Sequence, residues 1–120
     1  IFTHEKPIYV QITELIFDKV ISGEWAEGAR IPSVRELAIT LEVNPNTVMR
    51  AYENLQSQGI IFNRRGVGYF TEDYARTAVL ARERDFFLKE TLPAMAGRMI
   101  LLGITIQEFS EIYETKKTNS

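Results

Sequence analysis

Between residues 30 and 70 of this 120-residue chain, all five positively charged residues are arginines. Against three glutamates they give that segment a net charge of +2, whereas the whole chain carries −2. The planar guanidinium group fits phosphate oxygens and guanine edges better than a lysine ammonium group does. The segment therefore predicts a localised face for nucleic acid and argues against tight non-specific binding by the whole chain. The five are Arg30, Arg35, Arg50, Arg64 and Arg65.

Other kinds of chemistry find little support in the residues. The single histidine, His4, has no partners for a metal site, and no nucleophile stands with a base. Gly66-Val67-Gly68 lies between expected strands, so it does not cradle phosphate before a helix. The absence of cysteine suits a cytoplasmic protein, and no window approaches the roughly 18 apolar residues of a membrane span. The sequence thus predicts no enzyme, no cofactor, no metal ion and no membrane partner.

The elements that must position the arginines begin with two helices. Apolar residues at helical spacing predict a first helix over residues 8–22, with Pro7 at its start and Gly23 at its end. Ser33 opens a second helix, because Glu36 three residues later completes a capping box.

A third helix is expected over residues 45–58. Asn44 is its cap and Pro45 its first residue. Only three residues separate it from the second helix, so the two helices must cross steeply, as in a helix-turn-helix. Val48, Ala51, Tyr52 and Leu55 form its apolar stripe, and Asn46, Thr47, Arg50 and Asn54 fall on the opposite face.

A β-hairpin is expected next, from strands at 60–62 and 69–71. Gly66 and Gly68 allow the positive φ that a hairpin tip requires. Together with the helices this predicts a mostly α fold with a small β-hairpin, a winged helix-turn-helix domain in residues 1–72. The tip would present Arg64 and Arg65.

Residues 73–120 are expected to form a C-terminal helical dimerisation region. Residues 74–102 read as helix, within which Pro93 must either kink one helix or separate two, because it removes a hydrogen bond. Gly103 ends this segment, and Thr105 with Glu108 caps a last helix.

The C-terminal region carries more apolar side chains than one helix on a small domain can bury. Burial against a second copy of the chain explains them, and a small-molecule effector pocket within that interface is the sharper alternative. The residues expected at the dimer interface are Phe86, Leu92, Met95, Met99, Leu102 and Phe109.

Three motifs in this order resemble the GntR family of bacterial transcription regulators. They are Arg30-Ile31-Pro32-Ser33-Val34-Arg35-Glu36-Leu37-Ala38, Asn44-Pro45-Asn46-Thr47-Val48-Met49-Arg50-Ala51-Tyr52 and Arg65-Gly66-Val67-Gly68-Tyr69-Phe70. The second motif and the short C-terminal region are most similar to the YtrA branch of that family. The resemblance implies a homodimer that binds a double-stranded DNA operator with a short inverted repeat, usually as a repressor.

The expected contacts combine the resemblance with the helix geometry. Arg50, on the exposed face of the third helix, is the best candidate to read a base. Asn46 and Thr47 lie in the first turn, which enters the groove first, although helix-start chemistry alone explains part of their presence. The resemblance makes Arg35 a phosphate or guanine contact, where the alternative is a solvated helix arginine.

The remaining predicted contacts also have simpler explanations. Ser33 is a helix cap and a candidate phosphate donor. Gly66 and Gly68 let the wing backbone approach the minor groove, or serve only the turn. Arg64 and Arg65 would reach phosphates or the minor groove.

Two functions remain open at this point. In the first, a homodimer places its third helices in the major groove about 34 Å apart, on two half-sites. In the second, the winged helix is a protein–protein interaction module that touches DNA weakly or not at all, because fold alone does not decide function.

Overall fold

The computed structural model describes residues 2–120, which divide into two compact units, one ending at Arg82 and one running from Glu83 to Ser120. No helix among the described residues is long and apolar enough to cross a membrane. The elements of the described chain are α1 (Ile8–Ser22), α2 (Val34–Leu41), α3 (Pro45–Ser57), β1 (Ile61–Arg64), β2 (Gly68–Thr71), α4 (Ala75–Phe86), a π-helical turn (Phe87–Thr91), α5 (Leu92–Leu102) and α6 (Ile106–Thr118).

The first unit is organised around a hydrophobic core to which α1 and α3 contribute facing side chains. Ile12 and Ile16 on α1 are fully buried, and so are Val48 and Leu55 on α3. The bounds of α1 are as predicted, and Gly23 ends it in the left-handed conformation. Burial of this apolar surface is the main force that fixes α3 against α1.

The predicted helix-turn-helix is present as α2 and α3. The Ser33 hydroxyl accepts the N–H of Glu36 at 3.1 Å, and the Glu36 carboxylate accepts the N–H of Ser33 at 2.8 Å, which confirms the capping box. Glu42 ends α2 at a φ of 57°. Asn44 caps α3 through its side chain, and Pro45 is the first helical residue, as predicted. The turn between the two helices therefore comprises the three residues 42–44, as predicted.

The wing hairpin extends further than predicted toward its tip. The register runs from Ile61↔Thr71 to Arg64↔Gly68. The predicted strand bounds at 62 and 69 were wrong: Arg64 closes β1 and accepts the N–H of Val67 at 2.9 Å, so it is the first residue of the tip turn, and residues 65–67 complete that turn. The additional pair forms because Gly68, at a φ of 143°, adopts a backbone conformation that side chains rarely allow.

The segment before α2 adds to the edge of β2 and ties the wing to the helices. Arg30 forms an isolated antiparallel bridge with Phe70, and the N–H of Ile31 donates to the carbonyl oxygen of Tyr69 at 2.9 Å. The Tyr69 ring also packs edge-on against the buried ring of Tyr52 on α3, with centroids 4.9 Å apart. The wing is thus anchored to the helix-turn-helix by backbone pairing and by an aromatic contact.

The first compact unit includes the start of α4. Ala75 and Val79 are fully buried in its core, and the Arg76 Nε donates to the carbonyl oxygen of Ile21 at 2.9 Å. The unit consequently ends at Arg82, ten residues later than the boundary expected from the sequence after residue 72.

In the second unit, the structure shows whether Pro93 kinks one helix or separates two. The N–H of Leu92 donates to the carbonyl oxygen of Phe87, five residues earlier, in the π-helical turn. Thr91 and Leu92 keep helical φ and ψ angles, so the backbone continues into α5 without a break. A single wide turn accommodates the missing N–H of Pro93, and neither a loop nor two separate helices results.

Residues 83–120 have no core of their own. Every one of them lies in the described chain, and each is at least partly exposed. Ile100 on α5 and Ile106 on α6 are 80% and 77% exposed. A helical segment gains most of its stability from burying an apolar face, which this unit does not do within one chain.

Candidate nucleic-acid interface

The polar face of α3 holds the predicted groove-reading residues together. The core side of the helix is filled by fully buried side chains, so residues on the other side must point outward. Asn46 and Arg50 are exposed and Thr47 is half-buried. The backbone N–H of Asn46 donates to the Asn44 side chain at 2.8 Å, so the helix cap uses the backbone of Asn46 and not its side chain.

A side chain from α1 contacts the central arginine of this face. The Arg50 Cζ lies 4.0 Å from the centroid of the half-buried Tyr9 ring. This cation–π contact restricts the guanidinium group while leaving its N–H edges in the plane of the group. The arrangement suits a donor that must meet two acceptors on one base edge.

The N-terminus of α2 brings a second arginine close to the start of α3. Arg35 is exposed in the first turn of α2, and it lines a surface depression of about 520 Å³ together with Pro45. Ser33 accepts the Glu36 N–H through its hydroxyl oxygen, and a phosphate would have to compete with the Glu36 carboxylate for the hydroxyl hydrogen. The hydrogen bond from the Ser33 N–H holds the pKa of Glu36 below its ordinary value, aided by the Ser33 side chain and by Arg30.

The wing presents its two arginines in different settings. Arg65 stands exposed in the turn, beside Gly66 at a φ of 78°. Arg64 lies on β1, and its Cζ is 5.1 Å from the centroid of the Phe70 ring. Arg65 therefore lies inside the turn and Arg64 at its start, and both guanidinium groups belong to the exposed wing.

The sequence predicted no specific contact for two residues of this surface, Arg30 and Tyr9. A Cβ built on Gly68 would lie 3.0 Å from the Nε of Arg30, so the missing side chain leaves room for this arginine beside the wing. Tyr9 reaches Arg50 from α1, which packs against α3. Both contacts join distant parts of the chain, and the only local signal was the charge of Arg30.

The residues expected at a dimer interface lie in or next to the second unit's helices, with mixed exposure. Phe86 and Leu102 are 61% and 57% exposed. The other four are half-buried by their own chain, namely Leu92, Met95, Met99 and Phe109. They form no closed cluster, in agreement with the absence of buried residues throughout 83–120.

The order of elements and the exposed arginines of α2, α3 and the wing agree with a sequence match. Residues 8–71 match the family model of bacterial regulatory proteins, gntR family. The chain belongs to the GntR family. It is 38% identical over 114 residues to the HTH-type transcriptional regulator YhcF of Bacillus subtilis, covering 95% of this chain and 93% of that protein. It is 34% identical over 105 residues to the HTH-type transcriptional repressor YtrA of the same organism, covering 88% and 80%.

Solved structures of GntR regulators share the fold. A GntR family transcriptional regulator from Listeria monocytogenes superposes with a TM-score of 0.76 at 33% identity, over 95% of this chain and 98% of that one. The DNA-binding domain of AraR in complex with operator ORX1 matches 59% of this chain and 92% of that one, with a TM-score of 0.55 at 28% identity.

The family assignment confirms three predictions. The resemblance to the GntR family is correct, and so is the fold class of a winged helix-turn-helix with a C-terminal helical region. This GntR protein is a transcription regulator with a DNA-binding helix-turn-helix, and its family and relatives are regulators rather than enzymes.

Proposed function

We propose that this GntR regulator binds a short inverted repeat in double-stranded DNA as a homodimer and represses the adjacent genes. The observation that carries the proposal is the exposed Arg50 on the polar face of α3, held at 4.0 Å over Tyr9. The anchoring of the wing to α3 through Tyr69 supports it. AraR, a relative in fold, has been crystallised with its operators.

Within each subunit, α3 enters the major groove with its N-terminal turn leading. Asn46 and Thr47 then approach base edges or the sugar-phosphate backbone, and Arg50 donates two hydrogen bonds to a guanine. Ser33 and Arg35 hold the phosphates beside α2. Arg65 in the turn, flanked by Gly66 and Gly68, contacts the backbone or the minor groove, and Arg64 adds charge from β1.

The homodimer is proposed because the second unit lacks a core. Helices with this much exposed apolar surface become stable when a second copy covers it, and large apolar patches on soluble proteins mark interaction sites. Homodimers with two-fold symmetry also match the symmetry of an inverted repeat. The most exposed apolar residues of this surface are Phe86, Ile100, Leu101, Leu102, Ile106 and Ile112.

An apolar groove between α5 and α6 bears on the effector alternative. It has a volume of about 370 Å³ and is lined by Met99, Ile104 and Ile106, among others. Its one hydroxyl, on Thr105, is engaged with Glu108 of the capping box. Ligand pockets usually combine apolar walls with polar groups that fix orientation. The groove therefore favours apolar side chains of a second copy over a polar effector.

We propose repression and a cytoplasmic location from the similarity of this chain to bacterial regulators. YtrA, which the chain matches over most of its length, is a transcriptional repressor by name. A bound dimer over a promoter would block access of RNA polymerase, and a regulator of a bacterial chromosome acts in the cytoplasm.

Selection of bound duplexes from random DNA tests the proposal. We expect enrichment of an inverted repeat whose half-site centres lie about 34 Å apart. Affinity for the selected site should fall steeply with salt, by roughly 10³ to 10⁵ between about 50 and 200 mM if about 6–10 phosphates are contacted. Failure to enrich any site, or binding that ignores salt, would favour the protein-interaction module instead.

A transcription assay on a template with the selected site next to a promoter tests the sign of regulation. Added protein should lower the amount of transcript, and a template with the site scrambled should not respond. A rise in transcript on the selected template would replace repression by activation and leave the DNA-binding part intact.

A further inference from the structure

Tyr9 and Arg50 meet across the contact between α1 and α3. Tyr9 lies in the first turn of α1, outside the helix-turn-helix pair, and its ring is half-buried. The Arg50 Cζ is 4.0 Å from the ring centroid, within the range of a cation–π contact. Because the core fixes α1 against α3, the ring has a defined position relative to the polar face of α3.

The guanidinium group has two kinds of contact surface, its π face and its in-plane N–H donors. A guanidinium group that lies over a ring uses its π face, whereas its N–H donors point outward in its own plane. Guanine presents N7 and O6 along its edge in the major groove, and a bidentate arginine meets both with two in-plane donors. In a face-on orientation the ring would restrain Arg50 without competing for the donors that a guanine needs.

We propose that Tyr9 is a positioning residue for base recognition and sets the orientation of the Arg50 guanidinium before DNA arrives. The inference rests on the proposed function, in which Arg50 reads a base. An arginine already held in its binding geometry loses less side-chain freedom on association, so the ring improves affinity selectively for the site with the correct base.

Two substitutions separate this role from simple packing. Tyr9→Phe keeps the aromatic face and removes only the hydroxyl, whereas Tyr9→Leu keeps apolar volume and removes the π face. The backbone carbonyl of Tyr9, which accepts the Thr13 hydroxyl at 2.9 Å, is retained in both. Thermal unfolding checks that each variant is folded, and Tyr9→Met supplies a second non-aromatic side chain if Tyr9→Leu is not.

The experiment measures dissociation constants on two duplexes, the selected site and the same site with the base read by Arg50 replaced. Arg50→Ala identifies that base, since it should bind the two duplexes alike. We expect Tyr9→Phe to behave as wild type, and Tyr9→Leu to lose about two- to fivefold on the selected site and nothing on the replaced one. In the Arg50→Ala background, Tyr9→Leu should cause no further loss.

The outcomes distinguish the two proposals. Suppose that wild type prefers the selected duplex and that Arg50→Ala binds both duplexes alike, as expected. If Tyr9→Leu then discriminates like wild type, or loses affinity equally on both duplexes, the positioning role is overturned and the proposed function stands. If wild type itself shows no preference between the duplexes, the base-reading role of Arg50 fails first, and the role of Tyr9 fails with it.

Discussion

The arginines of the interface differ in how firmly the fold restrains them. Arg50 lies over Tyr9, and Arg30 lies against the space that Gly68 leaves open. Arg65 stands in the exposed turn of the wing. A restrained side chain loses less freedom on binding, and it also tolerates fewer geometries at its target. Restraint therefore suits an arginine that selects a base, and mobility suits one that neutralises phosphate.

This difference predicts opposite phenotypes for two alanine substitutions. Arg50→Ala should reduce discrimination between the selected site and a site with one base changed by about 1–3 kcal/mol. Arg65→Ala should weaken binding to every sequence by a similar factor and lower the salt slope by about 1. Dissociation constants on selected and scrambled duplexes over a salt series measure both effects.

Lys117→Ala provides the matched control, because it removes one exposed charge from the last turn of α6, outside the first unit. It should leave both discrimination and the salt slope unchanged. Equal losses on selected and scrambled DNA for Arg50→Ala would count against its reading of a base.

Among the elements, those governed by neighbouring residues were predictable and those governed by distant ones were not. The bounds of α1 and both capping boxes follow from residues within a few positions, and the structure confirms them. The end of β1 depends on pairing across the hairpin, so the predicted strands stopped short of the Arg64↔Gly68 pair. Arg30 and Tyr9 reach the site through contacts that no local pattern encodes.

The capping box of α2 links local chemistry to the position of the interface. Ser33→Ala removes the acceptor of the Glu36 N–H and should lower the free energy of unfolding by about 1 kcal/mol. The substitution also frays the turn that carries Arg35, so affinity for the selected duplex should fall. Urea denaturation and duplex titration measure the two quantities.

Ser33→Thr is the control, since threonine can cap the same helix and should retain most of the stability. A Ser33→Ala protein with unchanged stability would mean that the capping hydrogen bonds contribute nothing net. Unchanged stability with weaker DNA binding would assign Ser33 to phosphate contact alone.

At the scale of the whole molecule, the two units have different sources of stability. The first buries a continuous core that extends to Val79, whereas no residue of 83–120, all of them described, is buried within the chain. The length of this core explains why a boundary drawn where the composition changes, after residue 72, fell short of Arg82. For the second unit, folding should depend on association and hence on protein concentration.

A charge placed on the second unit's apolar surface should therefore separate the subunits. Leu102 is 57% exposed at the end of α5, and Leu102→Glu would bury an unpaired carboxylate in a dimer. We expect a monomer by sedimentation at concentrations where wild type is a dimer. Binding to the full inverted repeat should weaken by roughly 10² to 10⁴, toward the affinity for one half-site, because the second half-site is no longer tethered.

Two comparisons isolate the cause of that loss. Gln107→Glu adds the same charge on α6, beside the acidic residues Glu111 and Glu114, and should leave the dimer intact. Binding of Leu102→Glu to an isolated half-site should equal that of wild type, since the helix-turn-helix and wing belong to the first unit. A Leu102→Glu protein that remains dimeric with full affinity would place the interface elsewhere, and a wild-type protein that binds its repeat as a monomer would remove the homodimer from the mechanism.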